Sequence, residues 1–442
     1  LRIMLKGFSF LFLLAPIFAL AQNSFEWTSK KEKISIDFKL VSNLIILPVK
    51  INNVELNMIL DTGSESSIIF SLPENDSIEF RDVKKIFIRG LGETEKIEAL
   101  YSVQNKLDLS GYKTKNFPLL IVLNQDINIS ERLGVEVNGI LNSSFFKGRI
   151  VEIDYIKKKM LIHKNGKKLK KKRLDTFEII PVRIVKERPY VNLDARINEI
   201  DVALNLLVDI GLSDGLWLFE KDKIKSNANY FEDVLGRGLN GEIVGKKSRV
   251  DRVQIANFES KDALVSYPYS KFFPLFQFSE ERNGSIGAGI LYRFHLIFDY
   301  EQNRILIYPN SKFSEPFNYN MSGLEIQHNG VEYFNEKVPL VTSKLNSSQN
   351  LDVLANGTEK FLYKFILKPV FEVATIQKDS PAALAGILVG DKIKRINKKN
   401  IQRYSLQQIN EMMRSEEGKW IYIDIERKGV SIAFKFQLKK II

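Results

Sequence analysis

Two short stretches of the sequence each run from apolar residues to an aspartate and, two residues later, a glycine. The first is Met58-Ile59-Leu60-Asp61-Thr62-Gly63-Ser64, and the second is Leu206-Leu207-Val208-Asp209-Ile210-Gly211-Leu212. An acid at the end of a buried strand is costly unless another group pairs with it or uses it. Two such acids, 148 residues apart in similar settings, favour a fold that brings them together. Paired carboxylates that share one proton are suited to general acid–base chemistry.

The elements that must position the two acids occur in the same order in both halves. Alternating segments at 34–40 and 44–51 predict strands, Asn52-Asn53 predicts a turn, and a strand at 54–60 leads into the first acid. In the second half, strands at 177–184 and 189–193, a turn at 197–200 and a strand at 202–208 lead into the second acid. A doubled order is more informative than either copy alone.

A second pair of similar segments follows each acid. Residues 138–155 align without a gap on residues 283–300. The later copy contains Gly284-Ser285-Ile286-Gly287, whereas the earlier one contains Gly139-Ile140-Leu141-Asn142. Asparagine, like glycine, can adopt the left-handed backbone conformation. We therefore expect a closing turn of similar shape in each half.

Together these motifs resemble those of the retropepsin-like aspartic peptidases, with both halves of the active unit fused in one chain. The resemblance implies a mainly β fold with a pseudo-twofold pair of acid-protease β-barrel lobes. It implies that Asp61 and Asp209 hold a water between them, without cofactor or metal, so that one takes its proton and the other donates to the peptide carbonyl. By the same resemblance, Thr62 would bond across the interface, Gly63 and Gly211 would allow close backbone approach, and Ser64 would bond Asp61 and lower its pKa relative to its partner.

The second copy departs from the family pattern. Ile210 stands at the threonine position and Leu212 at the serine or alanine position, so two supporting hydroxyls are missing. The sequence therefore predicts an aspartic endopeptidase acting on extended polypeptide segments, with a catalytically weak or inactive peptide-binding scaffold as the alternative. A third interpretation is that both acids merely cap strands. It does not explain why the same order of elements occurs around both acids.

Each half also contains a hairpin candidate with glycines. The first carries Gly90 and Gly92, and the second, Val234 to Val244, carries Gly238 and Gly241. By resemblance these are flaps, the hairpins that fold over a bound peptide. The second hairpin also matches the G-x-G-x-x-G dinucleotide pattern, but no amphipathic helix follows it, so we reject a nucleotide site.

The last segment changes character. Residues 380–397 resemble the core signature of bacterial PDZ domains, which implies an α+β domain. Ser380 suits a helix N-cap before Pro381, and an amphipathic helix is predicted at 405–414. The resemblance implies that Phe371, Val373 and Thr375 lie on a strand to which a peptide adds. The segment 365–370 has no glycine, so the capture of peptide C-termini is left open.

Composition excludes several chemistries. The 442 residues include no cysteine, which rules out disulfides, thiolate zinc sites and cysteine nucleophiles. His163, His295 and His328 are the three histidines, and their scatter predicts ordinary surface or edge-strand positions. The net charge of +12 lies largely in short lysine runs, so we expect a solvated basic surface and no nucleic-acid partner. A basic surface around Lys170 that binds an anionic envelope component is a minor alternative.

The chain is predicted to fold as several units. We expect a signal peptide at 1–21 cleaved after Ala21, a first lobe at 27–163, a basic linker at 164–175, a second lobe at 176–315, and a PDZ-like domain at 320–442 with an inserted loop at 336–359. The signal predicts an exported protein, periplasmic or extracellular, with no integral membrane span after cleavage. We expect a monomer containing an intramolecular pseudo-dimer, with a polypeptide as its partner.

Overall fold

Strands build almost all of this protein. A computed structural model describes residues 25–73, 77–88, 97–123, 129–164, 175–238, 241–272, 281–339 and 361–442. Within these ranges helices are few and short, so the predicted mainly β fold class is confirmed. The predicted signal peptide and most of the basic linker lie outside the described residues. No helix in the described ranges is long and apolar enough to cross a membrane.

The first lobe extends from residue 25 to residue 163. Its strands are β1 (Glu26–Trp27), β2 (Lys33–Asp37), β3 (Lys39–Val41), β4 (Leu44–Ile51), β5 (Val54–Asp61), β6 (Ile68–Ile69), β7 (Lys84–Ile88), β8 (Ile97–Leu109), β9 (Tyr112–Ile121), β10 (Gly139–Asn142), β11 (Ile150–Asp154) and β12 (Lys159–His163). A short helix, α1 (Ile129–Leu133), and a 3-10 turn, Ser143–Phe146, flank β10.

The second lobe repeats these elements. Its strands are β13 (Glu178–Pro181), β14 (Arg183–Val185), β15 (Arg188–Ile197), β16 (Ile200–Asp209), β17 (Leu216–Leu218), β18 (Phe231–Gly238), β19 (Gly241–Ile255), β20 (Phe258–Pro268), β21 (Gly284–Gly287), β22 (Phe294–Asp299) and β23 (Arg304–Pro309). The helix α2 (Ala288–Leu291) follows β21, and a 3-10 turn, Tyr300–Gln302, follows β22.

Sheet order confirms the predicted doubling. The main sheet of the first lobe contains the run β9-β6-β10-β5-β4, and that of the second lobe contains β20-β17-β21-β16-β15. In each lobe the acid-bearing strand pairs in parallel with the closing strand, β5 with β10 and β16 with β21. The predicted turns are also present: Asn52 and Asn53, and likewise Asn198 and Glu199, have the positive φ angles of a tight two-residue hairpin turn.

A six-stranded sheet joins the lobes in the order β13-β23-β22-β11-β12-β2. Its centre is the antiparallel pairing of β11 with β22, and one hydrophobic core continues through both lobes. Glu152 is buried on β11, and its carboxylate oxygens lie 3.2 Å from Nε2 of His163 and 2.7 Å from Nε2 of His295. Two of the histidines therefore converge on one buried acid, which their scatter along the chain did not suggest.

The closing segments differ from the prediction in one respect. Asn142 has φ −73° and ψ 169°, and Gly287 has φ −105° and ψ 179°, so neither is left-handed. Asn142 instead accepts a hydrogen bond from Ser67 Oγ. Gly287 is needed for space, because a Cβ there would lie 2.2 Å from the carbonyl oxygen of Asp214.

The PDZ-like domain follows the second lobe. It contains β24 (Leu324–Pro339), β25 (Phe361–Ile376), α3 (Pro381–Leu384), β26 (Lys392–Ile396), β27 (Lys399–Asn400), a 3-10 turn (Ile401–Arg403), α4 (Leu406–Met413), β28 (Trp420–Arg427) and β29 (Val430–Gln437). Ser380 caps α3 with Pro381 at its first position, as predicted, and Ser405 caps α4. Residues 336–339, assigned from the sequence to the inserted loop, are strand and pair with residues 361–364; residues 340–360 lie outside the described residues.

Candidate active site

Asp61 and Asp209 are each the last residue of a central strand, β5 and β16. The apolar residues before them are buried in the common core, which fixes both strand ends at the interface between the lobes. Opposite each acid, the parallel closing strand places Asn142 beside Asp61 and Gly287 beside Asp209. Both acids are only partly exposed to solvent as residues, and their carboxyl groups lie against the opposite turn.

The structure brings the two carboxyl groups into contact with each other and with the opposite turn. A Cβ on Gly63 would lie 2.5 Å from Oδ2 of Asp209, and a Cβ on Gly211 would lie 2.4 Å from Cγ of Asp61. The two carboxyl groups are in hydrogen-bonding contact, which lowers the pKa of Asp61 and raises the pKa of Asp209. Any side chain larger than hydrogen at either glycine would displace an acid, which accounts for the glycine in both motifs.

The surroundings separate the two acids in proton affinity. Burial raises the pKa of Asp61, but the backbone N–H groups of Gly63 and Ser64, which donate to its Oδ1 at 2.6 and 3.0 Å, oppose that rise. Burial raises the pKa of Asp209 well above its ordinary value, and the negative charge of Asp61 raises it further. When the pair holds a single proton, the favoured state is therefore an ionised Asp61 beside a protonated Asp209.

Thr62 makes the cross-interface contact that the resemblance implies. Its hydroxyl donates to the carbonyl oxygen of Val208 at 2.7 Å and accepts from the backbone N–H of Ile210 at 3.1 Å. Both Thr62 and Ile210 are fully buried. Ile210 has no hydroxyl to return the contact, so the bridge is one-sided.

Ser64 and Leu212 differ from the expected support. The hydroxyl of Ser64 donates to the carbonyl oxygen of Ser66 at 2.7 Å, and only its backbone N–H bonds Asp61, so the predicted hydroxyl contact is wrong. Leu212 packs against the apolar cluster formed by Trp217, Phe219, Leu235, Ile243 and Phe272. The apolar residue in the second motif thus supports the part of the β18–β19 hairpin near its turn, which carries Leu235 and Ile243.

Two arginines next to the acids were missed by the sequence analysis. Arg282 is buried, donates to Ser285 Oγ at 2.6 Å and lowers the pKa of Asp209, while burial lowers the pKa of Arg282 itself to about 10. Arg188 pairs with Glu65 at 2.7 Å and lowers the pKa of Asp61. The sequence does contain a sign of Arg282. Extending the alignment of the two halves by one residue places this arginine opposite the apolar Val137.

The hairpins predicted as flaps are described only in part. Gly90 and Gly92 lie outside the described residues. Gly238 and Gly241 pair at the end of the β18–β19 hairpin, and β19 continues as strand where a dinucleotide site would need a helix. Among the described side chains, no group of three or more His, Asp or Glu residues is arranged to hold a metal ion.

The predicted peptide-binding strand of the PDZ-like domain is paired on both sides along part of its length. Phe371, Val373 and Thr375 lie on β25, which pairs with β24 on one side and β26 on the other. Phe371 has strand partners on both sides, and the backbone of Val373 also bonds Gly390 and Asp391, so a peptide cannot add at these two positions. Thr375 pairs with Glu325 of β24. The outer strands of this sheet are β24 and β29, and residues 324–328 lie on the β24 edge.

Comparison with known proteins supports the last domain most directly. Residues 372–427 match the family model of the PDZ domain. An aspartic proteinase from Irpex lacteus is similar in structure with 10% identity and a TM-score of 0.38, over 65% of this chain and 100% of that protein. A similarity at that TM-score carries no argument about function. No curated protein matches the sequence.

Proposed function

We propose that this chain is an aspartic-type endopeptidase that hydrolyses extended polypeptide segments, with the PDZ-like domain recruiting or regulating. One observation carries the proposal: two carboxyl groups from equivalent strand ends share a hydrogen bond, and each lies against the glycine of the opposite turn. Two acids with a purely structural role would not need this contact, because neighbouring carboxylates repel each other when both are ionised.

The asymmetry of the acids assigns their roles. Asp61, held ionised by two backbone N–H groups, takes a proton from a water as the water attacks the scissile carbonyl carbon. Asp209, protonated, donates to the carbonyl oxygen. As the tetrahedral intermediate collapses, the C–N bond breaks, Asp61 gives its proton to the leaving amine, and a hydroxyl of the intermediate returns a proton to Asp209. Thr62 keeps the two strand ends in register across the interface.

A peptide-library cleavage assay tests the proposal. We expect wild-type protein to cleave, and Asp61→Asn and Asp209→Asn each to abolish cleavage. Asp37→Asn is the matched control, because Asp37 is exposed and pairs only with the exposed Lys159 at 2.8 Å. Cleavage that survives either dyad substitution would show that the chemistry lies elsewhere.

The absence of hydroxyls at Ile210 and Leu212 favours one alternative, a peptide-binding scaffold with the same fold and little or no turnover. In that case the wild-type protein binds library peptides without cleaving them. The Asp61→Asn variant then binds the same peptides as tightly as the wild type does.

We also propose that the protein is exported and acts as a monomer in the periplasm or outside the cell. The apolar segment before Gln22 motivates the export proposal. N-terminal sequencing of protein recovered from the periplasm or the medium tests it, with Gln22 as the expected first residue. Sedimentation of the purified protein tests the monomer.

A further inference from the structure

The PDZ-like domain is attached to the β18–β19 hairpin of the second lobe at the base of that hairpin. Phe231, the first residue of β18, is buried in the hydrophobic core of the PDZ-like domain together with Leu324, Leu406 and Met413. Its ring lies 5.4 Å from the ring of Tyr319. The hairpin and the PDZ-like domain therefore share part of one core.

A second connection runs through Arg132, on α1 of the first lobe. Its Nη1 donates to Oε1 of Glu325 at 2.6 Å, and its Nη2 lies 3.9 Å from Oε1 of Glu242 near the start of β19. Glu325 is on the edge strand β24, and its other carboxylate oxygen accepts from Thr375 Oγ1 at 2.8 Å. The Arg132 side chain is 15% exposed, so solvent weakens these contacts only in part. One arginine thus connects the first lobe, the PDZ edge strand and the hairpin of the second lobe.

The segment 129–135 containing α1 also packs on the PDZ-like domain. A Cβ on Gly134 would lie 2.8 Å from Cβ of Leu406, the first residue of α4, and 3.4 Å from Cε1 of His328 on β24. Buried atoms Nε of Arg132 and Nε2 of His328 have no hydrogen-bond partner among the described residues. Buried polar atoms without partners weaken the contact between segment 129–135 and the PDZ-like domain. Another polypeptide can therefore replace this segment at modest cost in free energy.

We propose that segment 129–135 is a built-in ligand of the PDZ-like domain, and that Arg132 couples occupancy of the β24 edge to the β18–β19 hairpin. An edge strand presents N–H and C=O groups to which an extended polypeptide can add. Such a polypeptide takes the place of segment 129–135 and separates Arg132 from Glu325. The path from Glu242 through Arg132 to Glu325 is then broken, and the hairpin remains attached at its base by Phe231. The effect on cleavage rests on the proposed function, but the coupling itself does not.

Hydrogen exchange of the full chain tests the coupling without turnover. We expect Arg132→Ala and Glu325→Gln each to raise amide exchange on the order of fivefold in both residues 241–246 and residues 324–328, as loss of a partly buried ion pair implies. Arg252→Ala is the matched control, since Arg252 bridges Asp201 at 3.0 Å and Glu259 at 3.7 Å within the second lobe alone. Exchange that rises only in the substituted element, or equally in the control, would overturn the coupling.

A cleavage assay separates this inference from the proposed function. We expect Arg132→Ala to raise kcat/KM for library peptides several-fold while Arg252→Ala leaves it unchanged. If no variant cleaves but Arg132→Ala raises exchange in both elements, the peptidase proposal fails and the coupling stands. If wild type cleaves and Arg132→Ala leaves exchange at 241–246 unchanged, the coupling fails and the peptidase proposal stands.

Discussion

The hydroxyl of Thr62 donates a hydrogen bond to the carbonyl oxygen of Val208 across the interface between the two lobes, at 2.7 Å. The Thr62 hydroxyl oxygen also accepts from the backbone N–H of Ile210 at 3.1 Å, and the Thr62 side chain is fully buried. Water cannot replace either bond at such a site. One side chain therefore holds the turn after Asp61 against the strand that ends in Asp209.

Thr62→Val should impair both stability and cleavage. It leaves a buried carbonyl and a buried N–H without a partner, at a cost of about 1–3 kcal/mol each in free energy of unfolding. Because the lost bonds join the strand ends that carry the acids, we expect kcat to fall as well. Chemical denaturation and peptide-cleavage kinetics measure the two effects.

Thr114→Val is the control for that substitution. Thr114 is also buried, but its hydroxyl accepts only a local bond from the backbone N–H of Asn116 at 3.3 Å. We expect a smaller loss of stability and an unchanged kcat. Equal kcat values for Thr62→Val and Thr114→Val would remove Thr62 from the positioning of the dyad.

The pH dependence of cleavage should be bell-shaped and displaced upward from the ordinary aspartate range. The active dyad carries one proton, and burial raises the pKa of both Asp61 and Asp209 above 3.8. Loss of activity on the acid side reports protonation of the dyad, and loss on the alkaline side reports removal of its last proton. The maximum of kcat/KM against pH should therefore lie above the ordinary aspartate range. An acid limb at the ordinary aspartate pKa would contradict the burial of Asp61.

Arg282→Gln should move the alkaline limb of that profile to higher pH. The Arg282 guanidinium lowers the pKa of Asp209, and its removal leaves burial and the Asp61 charge unopposed there. Arg282→Lys keeps the positive charge while changing the shape of the donor, so it should leave the limb near its wild-type position. If both variants shift the limb equally, the effect comes from packing and not from charge.

The strands and the meeting of the two acids could be predicted because they depend on local patterns. Alternating apolar residues give buried strands, and a repeated order of elements implies a repeated tertiary unit. The direction of the Ser64 hydroxyl could not be predicted, because the backbone N–H of the same residue bonds Asp61 and frees the hydroxyl to bond Ser66.

Contacts between residues distant in sequence explain the other differences. A strand pattern at 371–376 shows that β25 exists but not which of its edges is occupied, and Phe371 is paired on both sides. Arg132 contacts Glu325, 193 residues away, and no local pattern relates them. Ile210 and Leu212 depart from the family pattern, and their surroundings show why apolar side chains fit there: one is in the core and the other is under a hairpin.

Asp209→Asn should stabilise the protein, and the gain should grow with pH. The pKa of Asp209 is raised well above 3.8 on folding, so between the unfolded and folded pKa values the folded state binds more protons than the unfolded state. The free energy of unfolding of the wild type therefore falls as pH rises through this range and levels off above the folded pKa. Asparagine stays neutral, so it avoids this loss, and its side-chain oxygen can still accept from the Gly211 N–H, which donates to Asp209 at 3.0 Å.

Thermal unfolding from about pH 4 to about pH 8 measures this difference, because the range starts near the unfolded pKa of aspartate. The Tm of Asp209→Asn should match that of wild type at the acid end and exceed it increasingly toward neutral pH. Asp37→Asn, which removes one exposed ion pair with Lys159, should show a small offset that does not grow. Parallel Tm curves for wild type and Asp209→Asn would mean that Asp209 ionises freely in the folded protein, and the assignment of Asp209 as the proton donor would then be wrong.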